Sequence, residues 1–386
     1  MYHRLINPPE NNSLFLFGPR GTGKTTWTKQ HFPQALYFDL LESGTYKDLL
    51  ANPGRLEEYI PTNFHDYVII DEVQRVPELL NGVHRLIESK KLKFILTGSS
   101  ARKLRRGGHN LLAGRALTYR MYPLTAIEMG TDFDVKKAMI TGMLPLAQIS
   151  NHGEYLKSYI KTYLDQEILQ EGLTRNLAAF SRFLEVASFS QGQILNVSNV
   201  AREAAIERTT VIGYFNILQD LLIGYMIPPF TKRAKRRLVS HPKFYYFDVG
   251  LYRAIRPMGP YDTPQEIGGI SVETLVCQQL IAVNDLMKLN YKIHYYRTAT
   301  GTEVDFIMYG ERGIIAIEVK SNNTYRPEMI AGLKRFALDY PEAKLYLFYT
   351  GDRKLYIGNI TVLPLTIALH NLSELLTPHS FPAKTD

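Results

Sequence analysis

A chain of 386 residues is too long for one typical hydrophobic core, which predicts several domains. With 45% hydrophobic residues, 21% charged residues and a single cysteine, it has an ordinary globular composition that excludes an internal disulfide framework or a cysteine-rich zinc site. The net charge of +8 favours a polyanionic partner without specifying one.

No apolar run approaches bilayer length, and the polar start Met1-Tyr2-His3-Arg4 lacks a signal-peptide core. No membrane association and a reducing, cytoplasmic location are therefore expected.

Leu14 to Phe17 reads as a short buried strand running into Gly18, Pro19, Arg20, Gly21, Thr22, Gly23, Lys24 and Thr25. This is a GxxxxGK[ST] loop in the strand–loop–helix context that its chemistry needs. The glycines let backbone N–H groups wrap phosphates, Lys24 supplies charge at the β and γ positions, and the Thr25 hydroxyl is placed to ligate magnesium. Thr26 continues the same nucleotide-binding run. ATP and Mg2+ are the expected cofactors.

Tyr67 to Ile70 predicts a buried parallel strand whose end presents Asp71 and Glu72. Asp71 is assigned to the magnesium and Glu72 to polarising the attacking water. Lys93 to Gly98 predicts a third strand lying between the first two. Thr97 is its favoured γ-phosphate sensor, with Ser99 as the runner-up. Arg115 follows in Leu112-Ala113-Gly114-Arg115; it either reaches a neighbouring subunit's nucleotide as an arginine finger or pairs internally with an acid.

From Pro123 to Arg175 the pattern is helical, with Tyr155, Tyr159 and Tyr163 recurring at helical spacing, and Gly142 and Pro145 as candidate hinges. Three helices, Phe180 to Ser190, Val197 to Ala205 and Glu207 to Leu222, then precede two strands, Tyr225 to Pro229 and Lys243 to Phe247. The basic run Lys232, Arg233, Lys235, Arg236 and Arg237 lies between those strands, and a second run spans Arg102 to Arg106. Basic residues on such a wing suit DNA phosphates; packing against protein is the competing use.

Near the C-terminal end, Asp305 sits in one apolar run and Glu318 and Lys320 in the next. Strand side chains alternate, so Glu318 and Lys320 share a face, and pairing the two strands brings two carboxylates and an ammonium together. A hairpin with solvated outer charges is the plainer alternative. Glu273 lies at an amphipathic helix start; the PD-(D/E)XK nuclease superfamily, which the Asp305, Glu318 and Lys320 pattern resembles, places a further metal-facing acid on such a helix. Glu273, Asp305 and Glu318 are the expected ligands of Mg2+, with Mn2+ as an alternative ion, and Lys320 is expected beside the metal-bound water.

The P-loop, Tyr67-Val68-Ile69-Ile70-Asp71-Glu72-Val73-Gln74, Thr97-Gly98-Ser99-Ser100, Met121-Tyr122-Pro123-Leu124-Thr125, Gly142-Met143-Leu144-Pro145 and Tyr245-Tyr246-Phe247-Asp248-Val249-Gly250-Leu251 resemble the prokaryotic AAA-type ATPases with a C-terminal DUF4143 region. The resemblance covers nearly the whole chain. It implies a multidomain α/β protein: an AAA-like ATPase core (1–122), a helical lid (123–175), a winged helix (176–248) and a restriction-endonuclease-like α/β domain (249–386).

The expected function is an ATP-driven, DNA-acting protein working as a homo-oligomeric ring, a hexamer among the candidates. The alternative is a nucleotide-switched regulatory scaffold whose nuclease-like domain is inactive and binds protein.

Overall fold

The computed structural model describes residues 2–102, 104, 112–149, 152–164, 176–232, 238–260 and 262–377. The chain divides into two compact units, the first made of Arg4–Pro123 with Asp220–Leu222, the second of residues 2–3, 124–219 and 223–377. The segment expected as a lid is thus grouped with the second unit as far as it is described.

The first unit is built on five strands, β1 (Ser13–Phe17), β2 (Leu36–Asp39), β3 (Tyr67–Asp71), β4 (Lys93–Gly98) and β5 (Ala116–Arg120), all parallel, in the order β2-β3-β4-β1-β5. The strands β1 and β3 are buried along their whole length, as continuous apolar runs in a parallel sheet covered on both faces must be. The helix α1 (Lys24–His31) follows β1 directly. A second helix, α2 (Leu79–Lys90), buries Leu79, Leu80, Val83 and Leu86, the face its 3.6-residue period turns toward the core. The carboxyl ends of β1, β3 and β4 lie side by side, where open parallel sheets hold ligands.

In the second unit, α3 (Val135–Thr141) ends at Gly142, whose φ of 73° and ψ of −166° lie in a region essentially confined to glycine. The chain turns there onto Asp248, the N-cap of α4 (Val249–Ile255), which accepts N–H bonds from Met143 (2.7 Å) and Leu251 (3.1 Å). A Cβ on Gly142 would lie 2.0 Å from Asp248 Oδ1, so this expected hinge is a jammed corner instead. Burial pushes the Asp248 carboxyl up to about 6, against the pull of the N–H groups it accepts from.

Helices Leu177–Ser188, Val197–Ala204 and Arg208–Asp220 precede an antiparallel pair, β6 (Gly224–Ile227) and β7 (Lys243–Tyr246). After α4 comes the long helix α5 (Pro264–Leu286), begun by a Thr263/Glu266 capping box with proline in the first turn. By length and composition this helix could cross a membrane, which corrects the expectation that no run reaches that length. Val272, Leu275, Val276, Leu280 and Val283 are nevertheless buried in the protein's own core.

The remaining strands, β8 (Lys292–Arg297), β9 (Glu303–Gly310), β10 (Gly313–Lys320), β11 (Lys344–Tyr349), β12 (Leu355–Ile357) and β13 (Ile360–Pro364), form a mixed sheet ordered β12-β13-β11-β10-β9-β8. Its two faces bury separate cores: Ile315, Ile317 and Val319 point into the one shared with α5, Ile314 and Ala316 into the other. The β8–β9 register slips between His294 and Tyr296, which pair with Ile307 and Val304. Asp305 falls in this irregular stretch, the kind of place where a strand re-aims a side chain.

Candidate nucleotide site and a buried charge cluster

In the first unit the loop between β1 and α1 takes its shape from glycine. Gly21 and Gly23 have φ of 80° and 94°. A Cβ on Gly18 would meet the Met121 carbonyl oxygen at 2.3 Å. Arg4, which the sequence reading did not single out, steadies the loop by donating to the carbonyls of Thr22 and Tyr122, each at 2.6 Å. The Lys24 ammonium donates to the carbonyls of Gly18 (2.7 Å) and Pro19 (3.2 Å), folded across the mouth of its own loop. Pro19 is buried there, while Arg20, Thr25 and Thr26 are exposed.

Across from the loop, the Asp71 carboxylate collects three hydroxyls. Thr25 donates at 2.7 Å, and Tyr37 and Thr97 donate as well. Burial, then the charge of Asp71, holds the Tyr37 phenol above its ordinary range, so it stays a donor. Glu72 adopts a left-handed conformation with φ of 59°; its N–H donates to Thr97 Oγ1 at 3.3 Å. Gln74 holds the Glu72 carboxylate through Nε2, which also reaches Ser99 Oγ at 3.3 Å. Gly98 leaves room for that amide, since a Cβ there would lie 2.4 Å from Gln74 Oε1. Thr97 therefore touches both acids, and Ser99 reaches Glu72 only by way of Gln74.

Tyr37 and Gln74 were missed in sequence. Tyr37 stands on another strand with no motif around it, and Gln74 sits two residues past the acids in a segment whose turn the sequence does not reveal. The donor set suits the expected cofactors. An exposed hydroxyl and a carboxylate, Thr25 and Asp71, are the oxygen ligands magnesium prefers, beside loop N–H groups and a lysine suited to phosphates.

Arg115 lies at an exposed edge, where its Nε pairs with Glu88 of α2. Arg102 pairs with Asp220 at 2.9 Å. In the other basic run, the Lys232 carbonyl accepts from Tyr340 at 2.7 Å; Arg233, Lys235, Arg236 and Arg237 lie outside the described residues, as do Lys103, Arg105 and Arg106.

In the second unit, Glu273 and Asp305 meet around a residue the sequence reading passed over, and Glu318 and Lys320 pair with each other beside them. Lys320 Nζ donates to Glu318, as their shared strand face requires. Asp305 accepts from the Val319 N–H at 2.8 Å, its side chain standing in where the β9–β10 ladder has ended. Into this cluster β7 delivers Lys243, whose ammonium lies 2.7 Å from Glu303, 3.1 Å from Glu273 and 3.9 Å from Asp305. Tyr245, two residues on and on the same strand face, donates to Glu273.

Burial alone would lower the Lys243 pKa, but the carboxylates of Glu273, Asp305 and Glu303 outweigh it and hold the ammonium charged well above lysine's ordinary range. Burial raises the Asp305 carboxyl to about 6, with Glu273 adding to the rise and the two lysines opposing it. Glu318 is raised likewise, by burial and then by Asp305.

The expected divalent ion does not fit this arrangement. Among the described residues no three His, Cys, Asp or Glu side chains are grouped to hold a metal. Glu273 and Asp305 face Lys243, Asp305 also accepts from the Val319 N–H, and Glu318 pairs with Lys320 through Oε1 while its Oε2 is buried without a partner. No step is therefore assigned to Mg2+ or Mn2+ at this cluster.

Comparison with known proteins finds three domain models along the chain. An AAA domain model matches residues 10–130, a domain of unknown function, DUF8612, matches 132–262, and another, DUF4143, matches 268–368. The chain thus carries an AAA domain followed by a C-terminal DUF4143 region.

Among its relatives are uncharacterized proteins of Mycobacterium tuberculosis and Mycobacterium bovis, each 25% identical over 90% of this chain and 79% of their own length. A Haemophilus influenzae protein is 24% identical over 56% of this chain and 60% of its own. Solved structures overlap slightly. The Aeropyrum pernix ORC1 protein in complex with DNA has a TM-score of 0.26 and 13% identity, over 64% of this chain and 87% of that one. The Bacillus subtilis DNA clamp loader delta protein has a TM-score of 0.24 and 14% identity, over 54% and 83%.

Proposed function

We propose that the protein is a magnesium-dependent ATPase acting on DNA as an oligomer. The observation that carries the hydrolysis is the wiring of Glu72. Its backbone N–H is tied to Thr97 and its carboxylate to Gln74, so a general base is held beside the loop that takes the phosphates. Lys24 would hold the β and γ phosphates, and Thr25 and Asp71 the magnesium, which would screen phosphate charge. Glu72 would orient the attacking water and take its proton, with Thr97 positioned against the γ-phosphate.

DNA as the partner is supported by the net charge of +8 and by the basic run between β6 and β7. The three helices and the β6–β7 pair support a winged-helix reading of 176–248. Lys232, Arg233, Lys235, Arg236 and Arg237 would then meet phosphates rather than bases. Binding should fall steeply with salt and depend little on sequence. Replacing Arg233, Arg236 and Arg237 with Ala should flatten the slope of log affinity against log salt by roughly 1 per lost phosphate contact. An unchanged slope in a fluorescence-anisotropy titration would remove DNA from this reading and leave a nucleotide-switched scaffold.

The oligomer would place Arg115 against a neighbour's nucleotide. Its pairing with Glu88 is an exposed one, screened by solvent and easily exchanged. Mixing inactive Arg115→Ala with inactive Lys24→Ala should restore part of the ATPase rate, because each supplies what the other lacks. No recovery in verified mixed oligomers assigns Arg115 to its internal pair.

A second reading applies to the C-terminal sheet: nuclease-like in fold, but gripping DNA or protein instead of cutting. The observation favouring it is the lysine among its acids.

A further inference from the structure

We infer that Lys243 is the resident cation of the C-terminal acidic cluster, occupying the place a divalent metal would need. All the residues concerned lie in the second unit, and neither ATP hydrolysis nor DNA binding enters.

Three carboxylates from different parts of the chain, Glu273 on α5 and Glu303 and Asp305 on β9, converge on one point. Convergence of like charges in a buried site requires a compensating cation. That cation is on the chain: the Lys243 side chain is 3% exposed, with its nitrogen at hydrogen-bond distance from Glu303 and Glu273 and facing Asp305.

An ammonium donates three protons and has no acceptor, so acceptor oxygens are the surroundings it needs. The ring of Tyr295, 5.6 Å from the nitrogen, adds the negative face of an aromatic. Further donors surround the acids: Arg297 reaches the second oxygen of Glu303 at 3.1 Å, the Val319 N–H reaches the second oxygen of Asp305, and Tyr245 shares with Lys243 the Oε1 of Glu273.

The lysine is also held from behind. Its backbone pairs with Ile227 of β6 on one side and bridges to Ile194 on the other, while the neighbouring Pro242 carbonyl accepts from the Leu195 N–H at 2.8 Å. Strand alternation then sends Lys243 and Tyr245 to the same carboxylate, Glu273. A divalent ion could bind these acids only by evicting an ammonium whose strand is pinned on both edges. The cluster is an intramolecular clamp joining β7, α5 and β9, and it does not take metal.

The test uses the full chain carrying Asp71→Asn, which removes the nucleotide-site metal ligand. Manganese uptake is followed by the electron paramagnetic resonance of the free ion, and thermal unfolding is measured in EDTA and in millimolar manganese. With Lys243 intact, manganese uptake should not change when Asp305→Asn is added, and manganese should raise the Tm of neither protein. Lys243→Ala should lower Tm in EDTA, and manganese should restore part of the loss, a rescue that adding Asp305→Asn removes.

Uptake by the Lys243 protein that Asp305→Asn abolishes would overturn the inference. So would a Lys243→Ala protein that melts at the parental temperature, or one whose lost stability manganese does nothing to restore. Should Lys243→Ala fail to fold, the comparison between the Lys243 protein and Asp305→Asn decides alone: equal uptake supports the clamp, and lost uptake ends it.

Discussion

Glu72→Gln should bind ATP as the parent does and turn it over at least ~100-fold more slowly, the range a positioned general base contributes. The substitution keeps the size of the side chain and exchanges only the group that accepts a proton. Glu72's backbone is set by its left-handed φ of 59° and by the bond to Thr97, neither of which an amide side chain disturbs. Lys24→Ala should instead lose affinity, because the β and γ phosphates lose their cation while the water-orienting acid remains. Equilibrium binding of a fluorescent ATP analogue and single-turnover hydrolysis separate the two effects. Parental turnover by Glu72→Gln would show that the base has been wrongly assigned.

Gly142→Ala should be among the most destabilising single-atom additions available in the second unit. The backbone there, φ 73° and ψ −166°, costs a non-glycine residue roughly 1–3 kcal/mol by itself. The new methyl would also lie 2.0 Å from Asp248 Oδ1 and 2.7 Å from the Gly250 nitrogen. Asp248 cannot withdraw without releasing the N–H groups of Met143 and Leu251 in a buried site. A total of about 3–5 kcal/mol is expected, in the exceptional tail for point substitutions. Gly358→Ala is the matched control, with φ of 62° and nothing within 4 Å of the added carbon. Urea unfolding of both variants should show the large loss only at Gly142; equal losses would mean that backbone conformation alone is at work.

Local chemistry was the legible part of this protein. The glycine-rich loop after β1, the apolar run ending in Asp71 and Glu72, and the third strand with Thr97 all announce themselves within eight residues. Their parallel arrangement follows from continuous apolar runs. The parity of Glu318 and Lys320 was readable for the same reason, since alternation along one strand is local.

What escaped was everything assembled across distance. Lys243 reaches Glu303 over sixty positions of chain, and nothing in Lys243-Phe244-Tyr245-Tyr246-Phe247 marks its first residue as buried rather than as a charge opening a strand. Asp305 owes its aim to a register slip that no composition reveals. Tyr37 meets Asp71 from a neighbouring strand, and Gly142 looked like a hinge because glycine tells of conformational freedom but not of what is packed against it.

The position of β1 in its sheet also sets a schedule for the ribosome. The strand made first lies between two made later, pairing with Lys93–Gly98 on one side and Ala116–Arg120 on the other. At ordinary elongation speeds it waits on the order of ten seconds for its first partner. During that wait Leu14-Phe15-Leu16-Phe17, four consecutive apolar residues with both edges open, is the stretch of nascent chain most in need of a chaperone. The C-terminal sheet has no such delay at its start, because β9 pairs with β8 and β10 with β9 as each emerges.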